Sequence, residues 1–118
     1  MAYLLLILEQ RGDRDQRTEA EGQAAYESMS RWRDDLRRRG LLQTAEALRP
    51  DRDGVRVSKR AGKRTVVDGP FAESKEMVGG FFLLDCETKA EAVAIAEECP
   101  ATEYAAVEVR ELAPCYVR

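Results

Sequence analysis

The sequence predicts an α+β domain in which two helices cover one face of an antiparallel sheet, and three observations carry that prediction. Residues 3–8 and 81–84 are continuous apolar runs of strand length, Tyr3-Leu4-Leu5-Leu6-Ile7-Leu8 and Phe81-Phe82-Leu83-Leu84. Two further stretches carry apolar residues at helical spacing, one through Ala25, Met29, Trp32 and Leu36, the other through Ala92, Val93, Ala96 and Cys99. Their order along the chain is strand, helix, strand, an extra hairpin, then strand, helix, strand, which is the ferredoxin-like split βαβ plan with a β-hairpin insertion. In that plan the first and third core strands are central. Those are the two strands that read as continuous apolar runs, so both faces of the sheet are expected to be covered. Two helices cover one face, and a second copy of the same sheet is the simplest cover for the other, which predicts a homodimer.

Each element has its own local reasons. Acidic Glu9 follows the first strand, and residues 11–21 are polar and read as a loop, with Thr18 as a helix cap near its end. The first helix ends at Gly40, behind the cationic turn Arg37-Arg38-Arg39 that suits the negative end of its dipole. Residues 41–48 lack a clean period and are assigned as a strand. Arg49-Pro50-Asp51-Arg52-Asp53-Gly54 is loop chemistry. Val55-Arg56-Val57-Ser58 then alternates, Ala61-Gly62 supplies a turn, and residues 64–67 return as the partner strand. Asp68-Gly69-Pro70 forces a bend, because Gly69 tolerates unusual dihedrals and Pro70 fixes its own φ. Gly79-Gly80 releases the backbone into the strand at Phe81. Thr88 and Glu91 have capping-box spacing at the start of the second helix, which Pro100 ends. Residues 106–112 alternate as the last strand.

Composition bounds the function. At 118 residues, 44% hydrophobic and 35% charged, the chain fits one globular domain spanning residues 1–118. A net charge of −3 gives no general attraction to nucleic acid or to anionic membranes. There is no His, and Cys86, Cys99 and Cys115 lie 13 and 16 positions apart without a Cys-x-x-Cys pair, so neither a metal site nor any other cofactor is expected. An odd, sparse cysteine set suits a reducing compartment. The first residues carry no basic leader or cleavage site, and the default location is the cytoplasm.

The stretch that organises the rest is Asp68-Gly69-Pro70-Phe71-Ala72-Glu73-Ser74-Lys75-Glu76, followed by Gly79-Gly80-Phe81-Phe82. With the apolar first strand, the Trp32 helix, Glu46-Ala47-Leu48-Arg49-Pro50, Glu98-Cys99-Pro100 and Val107-Glu108-Val109-Arg110, it closely resembles the DGPF-domain proteins of bacteria, within the wider YCII-related family. The resemblance covers nearly the whole chain. It implies a dimeric α+β barrel, in which two ferredoxin-like sheets face one another. YCII-like relatives are thought to be enzymes through a His on the first helix and an Asp before a Pro ahead of the last strand. This chain has no His, and Cys99 precedes Pro100, so the dyad is absent.

Function is therefore read from the turn. The leading reading is a small-molecule-binding or regulatory homodimer whose cleft is bordered by Asp68, Phe71, Glu73, Lys75 and Glu76. The alternative is a metal-free enzyme using Asp68 or Glu73 as general acid or base. Against each sharp role stands a plainer one. Asp68 caps its own turn, Glu73, Lys75 and Glu76 are solvated charges, and Phe71 is a packing plug. Trp32 is core, and Cys99 is a buried thiol rather than a nucleophile, since no base is in view to activate it. Residues 49–64 hold seven basic and two acidic side chains, and the hairpin from Arg56 to Arg64 is the one candidate for nucleic acid. It lacks interleaved aromatics, and cations that keep a sheet edge from aggregating account for it, so no nucleic-acid or membrane partner is expected.

Overall fold

The computed structural model describes residues 2–71 and 74–118. Six strands and three helices occur among them: β1 Ala2–Gln10, α1 Asp13–Gln16, α2 Glu19–Arg38, β2 Leu42–Ala47, β3 Val55–Arg60, β4 Lys63–Asp68, β5 Glu76–Asp85, α3 Lys89–Glu97 and β6 Ala106–Glu111, with 3-10 turns at Asp51–Asp53 and Pro100–Glu103. The main sheet is antiparallel in the order β2-β5-β1-β6, which is the ferredoxin-like arrangement with β1 and β5 central. Strands β3 and β4 form a separate two-stranded sheet, the inserted hairpin.

The alternation of β1 decides the layering. Tyr3, Leu5 and Ile7 are buried on one face, where they meet Trp32 and Leu36 of α2, Ala92, Ile95 and Ala96 of α3, and Phe82 and Leu84 of β5. Trp32 and Phe82 pack ring to ring at 4.8 Å, tilted by 49°. Leu4, Leu6 and Leu8 point the other way and are only half-buried, as are Phe81 and Leu83 on β5. The molecule is 18 Å across its thinnest axis, the depth of one sheet and one helix layer, so nothing among the described residues forms a layer over that second face.

Several local expectations are corrected. The polar stretch at 11–21 is not all loop: Asp13–Gln16 makes a helical turn, held by tertiary bonds from Arg14 that polarity alone does not reveal. Thr18 does cap α2, in a full capping box with Glu21. At the second helix the box is half-made, since the Glu91 carboxylate accepts from the backbone N–H of Glu87 instead of Thr88. Val93 is exposed there and Ile95 takes its place in the core, while α3 ends at Glu97, before Cys99. Strand β5 begins at Glu76, five residues ahead of Phe81, so Gly79 and Gly80 lie inside it. Gly69 also serves a different purpose. A Cβ there would sit 1.8 Å from the Asp51 carbonyl oxygen, so close packing of the turn, not an unusual dihedral, demands glycine.

Candidate functional site

A cleft of about 660 Å³ opens between α2 and the end of the sheet where β1 finishes and β5 begins. Ile7, Ala45 and Phe82 make its floor, Ala25 and Met29 of α2 form a wall, and Tyr104 stands at the side. Its polar corner is built around Glu9. On β1, Glu9 shares the inward face with Tyr3, Leu5 and Ile7 and is only 6% exposed, the one buried charged residue among those described.

A buried carboxylate is costly unless its oxygens are satisfied. Arg14 does this with two parallel bonds, Nε donating to Oε1 at 2.9 Å and Nη2 to Oε2 at 2.6 Å. The same guanidinium donates to the carbonyls of Leu48 at 2.7 Å and Gly79 at 3.2 Å, joining β1 to the end of β2 and to β5. The bond to Glu9 raises the Arg14 pKa above its ordinary value, and Arg14 is a fixed cation. Space for the pair comes from a bulge in β5: Ile7 pairs with Gly80 and Leu8 with Val78, leaving Gly79 as the extra residue. A Cβ on Gly79 would lie 1.5 Å from Glu9 Oε2. The two glycines that the sequence offers as a strand entry are thus the seat of the ion pair.

Beside this corner the Arg17 guanidinium lies 4.5 Å over the Tyr104 ring. Burial pushes the Tyr104 phenol up, so at neutral pH it is protonated and able to donate a hydrogen bond. Chemically the cleft offers an apolar floor, a phenol and a stacked guanidinium. Glu9 has both oxygens committed to Arg14, and so is not a free base.

The residues singled out from sequence are distributed differently. Phe71 is buried, with the Arg56 guanidinium 3.7 Å over its ring, and with Glu76 it lines a second, smaller concavity of about 510 Å³. Asp68 is exposed at the end of β4, opposite Val55, and lines neither cavity. Lys75 is exposed as well, and its carbonyl accepts from the Arg11 backbone N–H at 2.9 Å. Glu73 lies outside the described residues. Trp32 is core, its indole N–H 3.5 Å from Glu98, whose carboxyl is held below its usual range chiefly by the hydrogen bond from Arg39. Glu9, Arg14, Arg17 and Tyr104 escaped the sequence reading. A signal for Glu9 existed: it continues the Tyr3, Leu5, Ile7 face in period two, a charge in a core register.

Cys99 is 1% exposed, and burial drives its thiol up to about 11. It stays protonated and unreactive at neutral pH. Burial also raises the Cys86 thiol, whereas Cys115 is exposed. A thiol reagent at pH 8 is expected to label one of the three cysteines promptly in the native protein. Prompt labelling of Cys99 would show that this corner of the core opens.

The family model of the YCII-related domain matches residues 1–115. The chain belongs to the YCII-related family. An uncharacterised protein of Rhizobium meliloti (strain 1021), R00369, is 38% identical over 78 residues, a match spanning 63% of this chain and 61% of that protein. Among solved structures, 5-chloro-2-hydroxyhydroquinone dehydrochlorinase from Burkholderia phenoliruptrix AC1100, in complex with 2,5-dihydroxybenzoquinone, superposes with a TM-score of 0.55 at 16% identity, over 96% of this chain and 94% of that one. The likeness to that structure is one of fold. Among the described residues no helix is long and apolar enough to cross a membrane, and no group of three or more His, Cys, Asp or Glu could hold a metal ion.

Proposed function

We propose that this YCII-related protein is a small-molecule-binding homodimer whose ligand sits in the cleft between α2 and the sheet. The observation that supports this reading is the cleft itself, about 660 Å³ with an apolar floor and a polar corner already paired. That volume falls within the roughly 300–1,000 Å³ of small-molecule sites, and few convergent polar groups on an apolar floor are their usual chemistry. Arg17 and the Tyr104 phenol would orient a polar substituent, while Phe82 and Ile7 take the apolar body. A small aromatic molecule fits this description, and the fold relative's complex with a dihydroxyquinone favours the same class. The dimer would form through the open sheet face, which carries Leu4, Leu6, Leu8, Phe81 and Leu83. Free cysteines without a pair agree with a cytoplasmic setting.

The second reading keeps the ligand at the Asp68-Gly69-Pro70-Phe71 turn, with Asp68, Phe71, Glu73, Lys75 and Glu76, and is favoured by the 510 Å³ concavity that Phe71 and Glu76 line. An enzyme reading, with Asp68 or Glu73 as acid or base, draws on the fold relative being a dehydrochlorinase. It requires a carboxylate shifted toward neutrality in a desolvated site.

Ligand-observed NMR with benzoate, catechol and hydroquinone separates the two seats. Ala25→Trp, which fills the α2 cleft, is expected to abolish binding that Phe71→Leu leaves intact. Binding that survives Ala25→Trp and is lost in Phe71→Leu moves the site to the turn.

A further inference from the structure

The inserted hairpin is the least explained part of the fold. Every residue of β3 and β4 is exposed, and a two-stranded hairpin is marginal in water unless something packs against it. Its two faces differ. On one, Arg56 turns inward over Phe71. On the other, Val57 and Val66 stand opposite each other in register, 66% and 58% exposed, beside Val55 at 54%. Cross-strand valines are sheet-packing residues, and each of these three leaves more than half of its surface in solvent.

The usual reason for cations on such a hairpin is to discourage edge pairing. Here the charges do not replace the apolar face. Lys59, Arg60, Lys63 and Arg64 are gathered around the Ala61-Gly62 turn, beyond the valines. Residues 55–68 hold five of the chain's 19 basic residues and one of its 22 acidic ones. The remainder is left with 14 against 21, a balance of −7, and acidic Glu46 shares the open sheet face with Phe81, as Glu108 does with Leu6, Glu108 being bonded there by Arg110 at 3.2 Å. A cationic arm with an apolar side, on a body that is anionic and has an apolar sheet face, complements a second copy of itself.

We infer that the β3–β4 hairpin is an arm that packs its Val55, Val57 and Val66 face on a second copy of this chain, with its cationic tip against that copy's acidic surface. The inference rests on the homodimer proposed above and adds the part of the partner that each protomer grips. Isologous association seats two arms at once, so one substitution acts twice in the assembly.

The test is the dissociation constant of the dimer, measured by sedimentation equilibrium for the wild type and for Val57→Asp/Val66→Asp. The substitutions touch only the exposed face of the hairpin, and the double variant is expected to dissociate at least tenfold more readily with an unchanged near-ultraviolet spectrum. Changing Lys59, Arg60, Lys63 and Arg64 to Gln is expected to weaken the dimer at low salt and to flatten its salt dependence. Should the double variant misfold, benzoylphenylalanine at position 57 of an otherwise native chain answers the same question, with covalent dimers on irradiation as the expected product. A wild-type dimer whose affinity is untouched by both variants refutes the arm while leaving the sheet-face dimer standing. A monomeric wild type refutes both. Salt-dependent binding of duplex DNA that disappears when the four tip cations become Ala would reassign the hairpin to nucleic acid and overturn the inference.

Discussion

Replacing Arg14 by methionine is expected to destabilise the protein by about 3 kcal/mol, the lower end of what breaking one side of a buried ion pair costs. The lower end applies because Arg14 itself is partly open to solvent, its side chain 28% exposed against 7% for Glu9. Glu9 would be left with two unsatisfied oxygens in the cleft wall, and the carbonyls of Leu48 and Gly79 would lose the donors that Arg14 supplies. For a chain of this length the melting midpoint should fall by on the order of 10 °C. Changing both partners, Glu9→Leu with Arg14→Met, should restore much of the loss, because two apolar side chains leave no orphaned charge. Gly79→Ala approaches the same pair from the backbone side: its methyl would occupy the position of Glu9 Oε2. Chemical denaturation of the three variants decides the matter, and an Arg14→Met protein within about 0.5 kcal/mol of wild type would show the pair to be incidental.

The same ion pair explains why the fold was more legible in the sequence than the site. Strand and helix periodicity are local properties, and residues 3–8, the Trp32 stripe and the Ala61-Gly62 turn report themselves through neighbours two to four positions away. Sheet order follows from them, because only one common topology places two continuous apolar strands in the centre. The candidate site is made of pairs far apart in sequence, Arg14 with Leu48 and Gly79 and Arg17 with Tyr104, and no local period encodes such a contact. Arg14 sits in a run of charges where one arginine looks like another. The conspicuous motif at Asp68 to Glu76 drew attention through its composition, yet Gly69 is there to clear the Asp51 carbonyl, and Phe71 is buried beneath Arg56. Much of that motif's singularity is packing. Glu9 was legible in principle, since a charge in a core-facing register demands a buried partner.

Leu6→Glu is expected to convert the proposed dimer into a folded monomer of 13.3 kDa. Leu6 lies at the centre of the open face, paired with Phe81 on β5 and with Glu108 on β6. It points away from the helices and takes no part in the core formed by Tyr3, Leu5 and Ile7, so the protomer should fold as before. In a sheet-to-sheet dimer, however, a glutamate at this position is carried into the interface next to Glu108, whose neighbour Arg110 is already bonded to it at 3.2 Å and leaves the new charge without a cation of its own. An uncompensated buried charge costs about 3–5 kcal/mol, and a two-fold interface imposes that cost once from each copy. At 1.4 kcal/mol per tenfold, one such charge alone raises the dissociation constant by roughly 100-fold to 4,000-fold. Light scattering at micromolar concentration reads the mass directly, and circular dichroism reports whether the protomer is intact. A Leu6→Glu protein that remains a dimer would place the interface elsewhere on the molecule. The variant also separates assembly from binding: the α2 cleft lies on the opposite side of the sheet from Leu6, so a folded Leu6→Glu monomer should keep its affinity for a ligand seated there, whereas a ligand that needs both protomers would be lost with the dimer.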